Sequence, residues 1–179
     1  MKSYIIPALL LIITLAACEK EDPVIPNEEE LITTLTYRLE PLGSGNVVEL
    51  KFQDLDGEGG NDPIITTTPL SANTTYHGRI IMMNDLAVPP VNISDEVEEE
   101  SETHQLFYIL DALKVEIEYM DTDQQGSPLG LITSLSTGSE TSGSLTIVLR
   151  HEPKKPNDGT LEDAGGETDI EVMFDIVVQ

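Results

Sequence analysis

Asp169-Ile170-Glu171-Val172-Met173-Phe174-Asp175-Ile176-Val177-Val178 is the stretch that decides the fold. The even positions Ile170, Val172, Phe174, Ile176 and Val178 are all apolar, and Asp169, Glu171, Met173 and Asp175 fall between them. A period of two places one apolar row on a single face, which is the pattern of a half-buried strand. The same alternation recurs upstream. Leu145, Ile147 and Leu149 alternate with Thr146, Val148 and Arg150; Val115, Ile117 and Tyr119 alternate with Glu116, Glu118 and Met120; Val48, Leu50 and Phe52 alternate with Glu49, Lys51 and Gln53. Weaker alternation marks 31–39, 63–68, 76–83, 104–110 and 129–135. Turn-rich segments separate these runs, so the chain reads as an all-β, antiparallel β-sandwich of the Ig-like or Greek-key type, with about seven to nine strands. Helical signal is confined to Ser94–Glu102, where Ser94 is a possible N-cap with acids behind it. A short helix and an acidic loop fit that segment equally. Residues 152–166, with two prolines and three glycines, read as a long loop.

The strand pattern also reads as an internal two-unit repeat. Val48-Glu49-Leu50-Lys51-Phe52 matches Val115-Glu116-Ile117-Glu118-Tyr119 at an offset of 67, and the offset then settles at 65, where Gly78 meets Gly143 and Ile80 meets Leu145. Units 48–110 and 115–178 are expected to superpose about a pseudo-twofold axis, since neither could bury its apolar face alone.

Ahead of the strands the sequence is an address. Lys2 is followed by the apolar run Ile5–Leu15 and then Ala16-Ala17-Cys18. A basic start, a short apolar run and small residues before a cleavage point make a secretory signal, too short for a bilayer span of ~20 residues. Leu15-Ala16-Ala17-Cys18 resembles the bacterial lipobox, which implies removal of residues 1–17 and acylation of Cys18. Several acyl chains anchor far more firmly than one. Residues 18–30 carry Pro23, Pro26 and the run Glu28-Glu29-Glu30, and read as an acylated cysteine on a disordered acidic tether, leaving 31–179 as a single sandwich domain. Lys20-Glu21-Asp22 is similar to the surface-export signal of Bacteroidetes lipoproteins, which implies display on the outer face of the outer membrane; the alternative is the periplasmic side.

Charge and composition exclude classes. Among 179 residues, 9 are Lys or Arg and 33 are Asp or Glu, a formal net charge of −24. Such an acidic chain is a poor partner for nucleic acid or an anionic lipid surface. Cys18 is the only cysteine, so no intrachain disulfide and no cysteine-rich zinc site can form. The chain has no nucleophile elbow, phosphate-binding loop or dinucleotide fingerprint. Carboxylates abound, but with no Trp, three Phe and five Tyr the aromatic platforms of a sugar hydrolase are scarce. The reading is therefore not an enzyme.

Two groups of residues could bind a cation. Asp54-Leu55-Asp56-Gly57 and Asp121-Thr122-Asp123-Gln124 alternate carboxylates on tight turns, as a calcium loop does, but lack the downstream bidentate glutamate. Asp and Gly also serve such turns for their geometry alone. The sharper candidates are His104, which opens one predicted strand, and His151, which closes another, with His77 as a possible third ligand. Antiparallel neighbours would bring His104 and His151 to the same rim, both in phase with inward residues. Neutral imidazoles suit Zn²⁺ or a similar divalent ion.

Three segments, Glu102–Tyr108, Leu149–Asn157 and Ala164–Ile170, together with the Asp-x-Asp turn and Gly126–Gly130, resemble uncharacterised lipoproteins of Flavobacteria and other Bacteroidetes. Such proteins often carry the label "type 1 periplasmic binding fold", yet that fold needs repeated βαβ units and this chain offers one short helix. The resemblance implies lipidation and brings no activity or catalytic residue. The expected function is that of an outer-membrane lipoprotein in a non-enzymatic binding or accessory role, capturing a metal ion or small nutrient beside an outer-membrane transporter. The alternative is a structural or adhesion-type surface module without a small ligand.

Overall fold

The structure is a computed structural model, and it describes residues 30–57 and 59–179. The lipobox-like segment, Cys18 and the expected tether up to residue 29 lie outside the described residues. Ten strands and two short helices follow in the order β1 (Thr34–Pro41), β2 (Val48–Gln53), β3 (Ile64–Thr66), β4 (Thr75–Asn84), β5 (Val91–Asn92), α1 (Ile93–Glu99), β6 (His104–Asp111), β7 (Val115–Tyr119), β8 (Ile132–Thr137), β9 (Thr141–His151), α2 (Leu161–Ala164) and β10 (Glu167–Val178). All named strand pairs are antiparallel.

Two sheets form. The larger has seven strands in the order β3-β2-β1-β4-β8-β7, with β5 paired to β4; the smaller has the order β10-β9-β6. β1, β2 and β3 follow one another by hairpins, and β4 returns beside β1, which is a Greek key. The all-β Greek-key sandwich read from the strand periods is thus the observed fold. The inward rows meet in one core: Leu35, Tyr37 and Leu39 of β1, Ile80 and Met82 of β4, Leu145, Ile147 and Leu149 of β9, and Val172, Phe174, Ile176 and Val178 of β10. Burying one such side chain contributes roughly 1.5–3 kcal/mol. A second, small cluster lies on the opposite face of the three-stranded sheet, where Phe107 and Val148 are covered by Ala164 and Leu161 of α2.

Three tyrosines tie the layers. Tyr108 of the small sheet sits between Tyr37 and Tyr119 of the large one, with ring centroids 5.7 and 5.9 Å away. Each hydroxyl is satisfied: Tyr37 pairs with Thr133 Oγ1 at 2.6 Å, Tyr108 donates to the Gly130 carbonyl at 2.6 Å, and Tyr119 donates to the Leu106 carbonyl at 2.9 Å. Buried phenols without such partners would destabilise the interior.

The repeat does not appear as a strand-for-strand duplication. Hairpins β2–β3 and β7–β8 both lie in the large sheet, but β4 stays there while its sequence counterpart β9 belongs to the small sheet. Ile80 and Leu145 are both core residues, on opposite layers. α1 starts two residues earlier than the capping pattern suggests. Asn92 is the N-cap, and the Ser94 hydroxyl instead accepts the Met82 N–H at 2.7 Å, fastening the helix to β4. Among the described residues no helix is long and apolar enough to cross a membrane.

Candidate metal centre

β6 and β9 pair so that His104 stands directly opposite His151, with Leu106 opposite Leu149 on the same inward face. The strand ends are fastened by the Glu152 N–H, which donates to the Thr103 carbonyl at 2.7 Å. His104 is fully buried and His151 is 8% exposed. Their rings meet edge to face with centroids 4.6 Å apart, and His151 Nδ1 lies 3.0 Å from His104 Nε2.

The tautomers follow from the partners. His104 Nδ1 lies 3.2 Å from the Glu100 carbonyl oxygen, an acceptor only, so Nδ1 carries the proton and Nε2 presents a lone pair. His151 Nδ1–H then donates to that lone pair. Desolvation is the main cause that holds the His104 pKa below the usual histidine range, with the neighbouring imidazole adding to it. The neutral form, the one able to bind a metal, is therefore favoured.

The third member is Asp169. Its carboxylate Oδ2 lies 3.8 Å from His104 Nε2, and its side chain is 1% exposed. By strict alternation Asp169 belongs to the outward row of β10. The register, however, shifts between Thr168, opposite Arg150, and Ile170, opposite Leu149. That bulge gives the strand one extra residue and re-aims Asp169 inward. Entry to β10 is made by Gly165 and Gly166, both with left-handed backbone (φ 59° and 74°), and a Cβ on Gly166 would collide with the His151 carbonyl. One nitrogen or oxygen from each of His104, His151 and Asp169 falls within 4.8 Å of the others. Ligand atoms on a tetrahedral zinc with contacts of 2.0–2.1 Å stand about 3.3 Å apart. The observed 3.0 and 3.8 Å separations bracket that value and the whole set lies within 4.8 Å, so the set fits a divalent transition ion once the His151 and Asp169 side chains close toward each other.

The other candidates lie elsewhere. His77 sits on the outer face of the large sheet, opposite Glu40 of β1 and Ser134 of β8, and beside Arg38 and Arg79. It points away from the interior that His104 and His151 face, so Asp169 takes the place foreseen for it. Asp54 Oδ1 accepts the N–H groups of Asp56 and Gly57, and Asp56 Oδ2 accepts from Asn61. Asp121 uses both oxygens on the N–H groups of Gly130 and Ile132. Asp123 Oδ1 accepts from Gln125 and Ser127, and its Oδ2 is 3.3 Å from the buried Lys155 ammonium, which also donates to the Ser101 carbonyl at 2.6 Å. These aspartates act as loop caps, and at Asp123 the local cation is a lysine.

Glu30, Glu96 and Glu100 add negative charge near Asp169. Glu30 is pushed up to about 7, first by burial and then by the carboxylates of Glu96, Glu100 and Asp169. No family model, curated protein or solved structure matches this chain.

Proposed function

We propose that this protein is an outer-membrane lipoprotein whose sandwich captures a divalent transition-metal ion, in a non-enzymatic accessory role such as supplying an outer-membrane transporter. The observation that carries the metal reading is the 3.0 Å approach of two buried imidazole nitrogens from paired strands. Anchoring rests on the lipobox around Cys18, and display on Lys20-Glu21-Asp22.

Calorimetric titration of the full chain with Zn²⁺ tests the metal role. Binding is expected for the wild type and loss of at least tenfold in affinity for the His104→Ala, His151→Ala double variant. Equal affinity in the two proteins would sink it and favour the ligand-free surface module. Binding should also weaken as pH falls below the usual histidine range, because protonated imidazole cannot ligate. Anchoring is tested by fatty-acid labelling, which Cys18→Ser should abolish.

A further inference from the structure

The three members of the cluster are not equally accessible. His104 is fully buried and the Asp169 side chain is 1% exposed, whereas His151 is the member that lines an open cleft. This cleft has a volume of about 510 Å³, and it is lined by Glu99, Glu100, Glu102 and Glu152 together with His151. Glu99 and Glu100 come from the end of α1, Glu102 from the turn before β6, and Glu152 from the residue after β9, which is held in a left-handed backbone (φ 49°). A non-glycine residue in that conformation is strained, and here it brings the fourth glutamate to the mouth. Lys155, a buried cation whose charge reaches His104, is engaged with Asp123 and Ser101.

A single-sign cleft with low-dielectric walls focuses its field and concentrates counter-ions at its floor. A cation drawn into this one meets His151 first, with His104 and the bulge residue Asp169 behind it. Three protein ligands also leave a fourth position on a tetrahedral ion for water or another incoming ligand, whereas structural zinc sites are closed by four.

We propose that Asp169 is the third ligand of a three-residue site open toward the glutamate cleft, and that the cleft is the path by which a divalent transition ion enters and leaves. This rests on the reading of His104 and His151 as metal ligands and deepens it: the site is built for exchange and not for permanent stabilisation. Metal binding requires His151 to move its proton from Nδ1 to Nε2, a tautomer change with no net proton gained or lost. The His104 Nδ1–H bond to the Glu100 carbonyl stays in place and orients that ring.

The test is stopped-flow Zn²⁺ uptake and release on the full chain, using wild type, Asp169→Asn, and a Glu99→Gln, Glu102→Gln, Glu152→Gln triple variant. Wild type should bind with a rate that falls as salt rises. The triple variant should associate about tenfold more slowly and lose most of that salt dependence, with its release rate little changed. Asp169→Asn should release the ion at least tenfold faster. The visible spectrum of the Co²⁺-loaded wild type reads the ligand set without any variant, and a four-coordinate nitrogen–oxygen spectrum is expected. Wild-type association in the triple variant overturns the entry path. An unchanged release rate in Asp169→Asn, or an octahedral cobalt spectrum, overturns the third ligand and the open site. Absence of any Zn²⁺ uptake by wild type overturns the metal reading itself and this inference with it.

Discussion

At the scale of single residues, the site is a balance between like charges and neutral imidazoles. Glu30 shows it most directly, because burial and three neighbouring carboxylates raise it to about 7. A carboxyl raised on folding binds its proton more tightly in the native state. Its contribution is therefore fully present below its ordinary value of ~4.5 and is lost as pH rises through about 7. Glu30→Gln should then raise the melting temperature at pH 8 and leave it unchanged at pH 4; thermal melts at the two pH values check this. His104 acts with the opposite sign, since its depressed pKa makes the fold lose stability as pH falls below the usual histidine range. Asp169 is the residue that reading the sequence missed. Its position in the alternating row assigns it to solvent, and only the extra residue of the bulge turns it inward. The signal that could have raised it is the Gly165-Gly166 pair just upstream, which permits an irregular strand entry.

At the scale of elements, the periods of two were legible because each strand buries one face only. β9 and β10 contain the runs read from alternation and extend up to four residues beyond them, and the in-phase reading of His104 with Leu106 and of His151 with Leu149 matches the paired register. Sheet membership was not legible, because alternation is the same in either layer. That is why the apparent repeat placed β4 and β9 in equivalent roles they do not hold. Gly78 in β4 marks one place where the sheet depends on a missing side chain. Tyr37 of β1 reaches across it to Thr133 of β8, and a Cβ there would collide with both side chains. Gly78→Ala is expected to destabilise the protein by roughly 1–3 kcal/mol through overpacking. Urea unfolding should show a lowered midpoint with an unchanged slope; a midpoint equal to wild type would show that the tyrosine can move aside freely.

At the scale of the whole molecule, the charge of −24 opposes compaction. Added salt should relieve this. The melting temperature is expected to rise between about 20 mM and 500 mM NaCl, as the screening length shrinks toward a few ångströms. A flat or falling response in calorimetry would show that local ion pairs outweigh the net repulsion. The sequence by itself determined the strand class, the acidic character and the in-phase placement of His104 with Leu106 and of His151 with Leu149. These are properties of short range, set by side-chain period, charge and local spacing. Tertiary structure alone decided which strands share a sheet, that His104 faces His151 across one register position, that His77 lies on the outer face, and that Asp169 turns inward. The reason is physical: pairing and bulges are settled by contacts between segments tens of residues apart, and no local period encodes which distant edge a strand will meet.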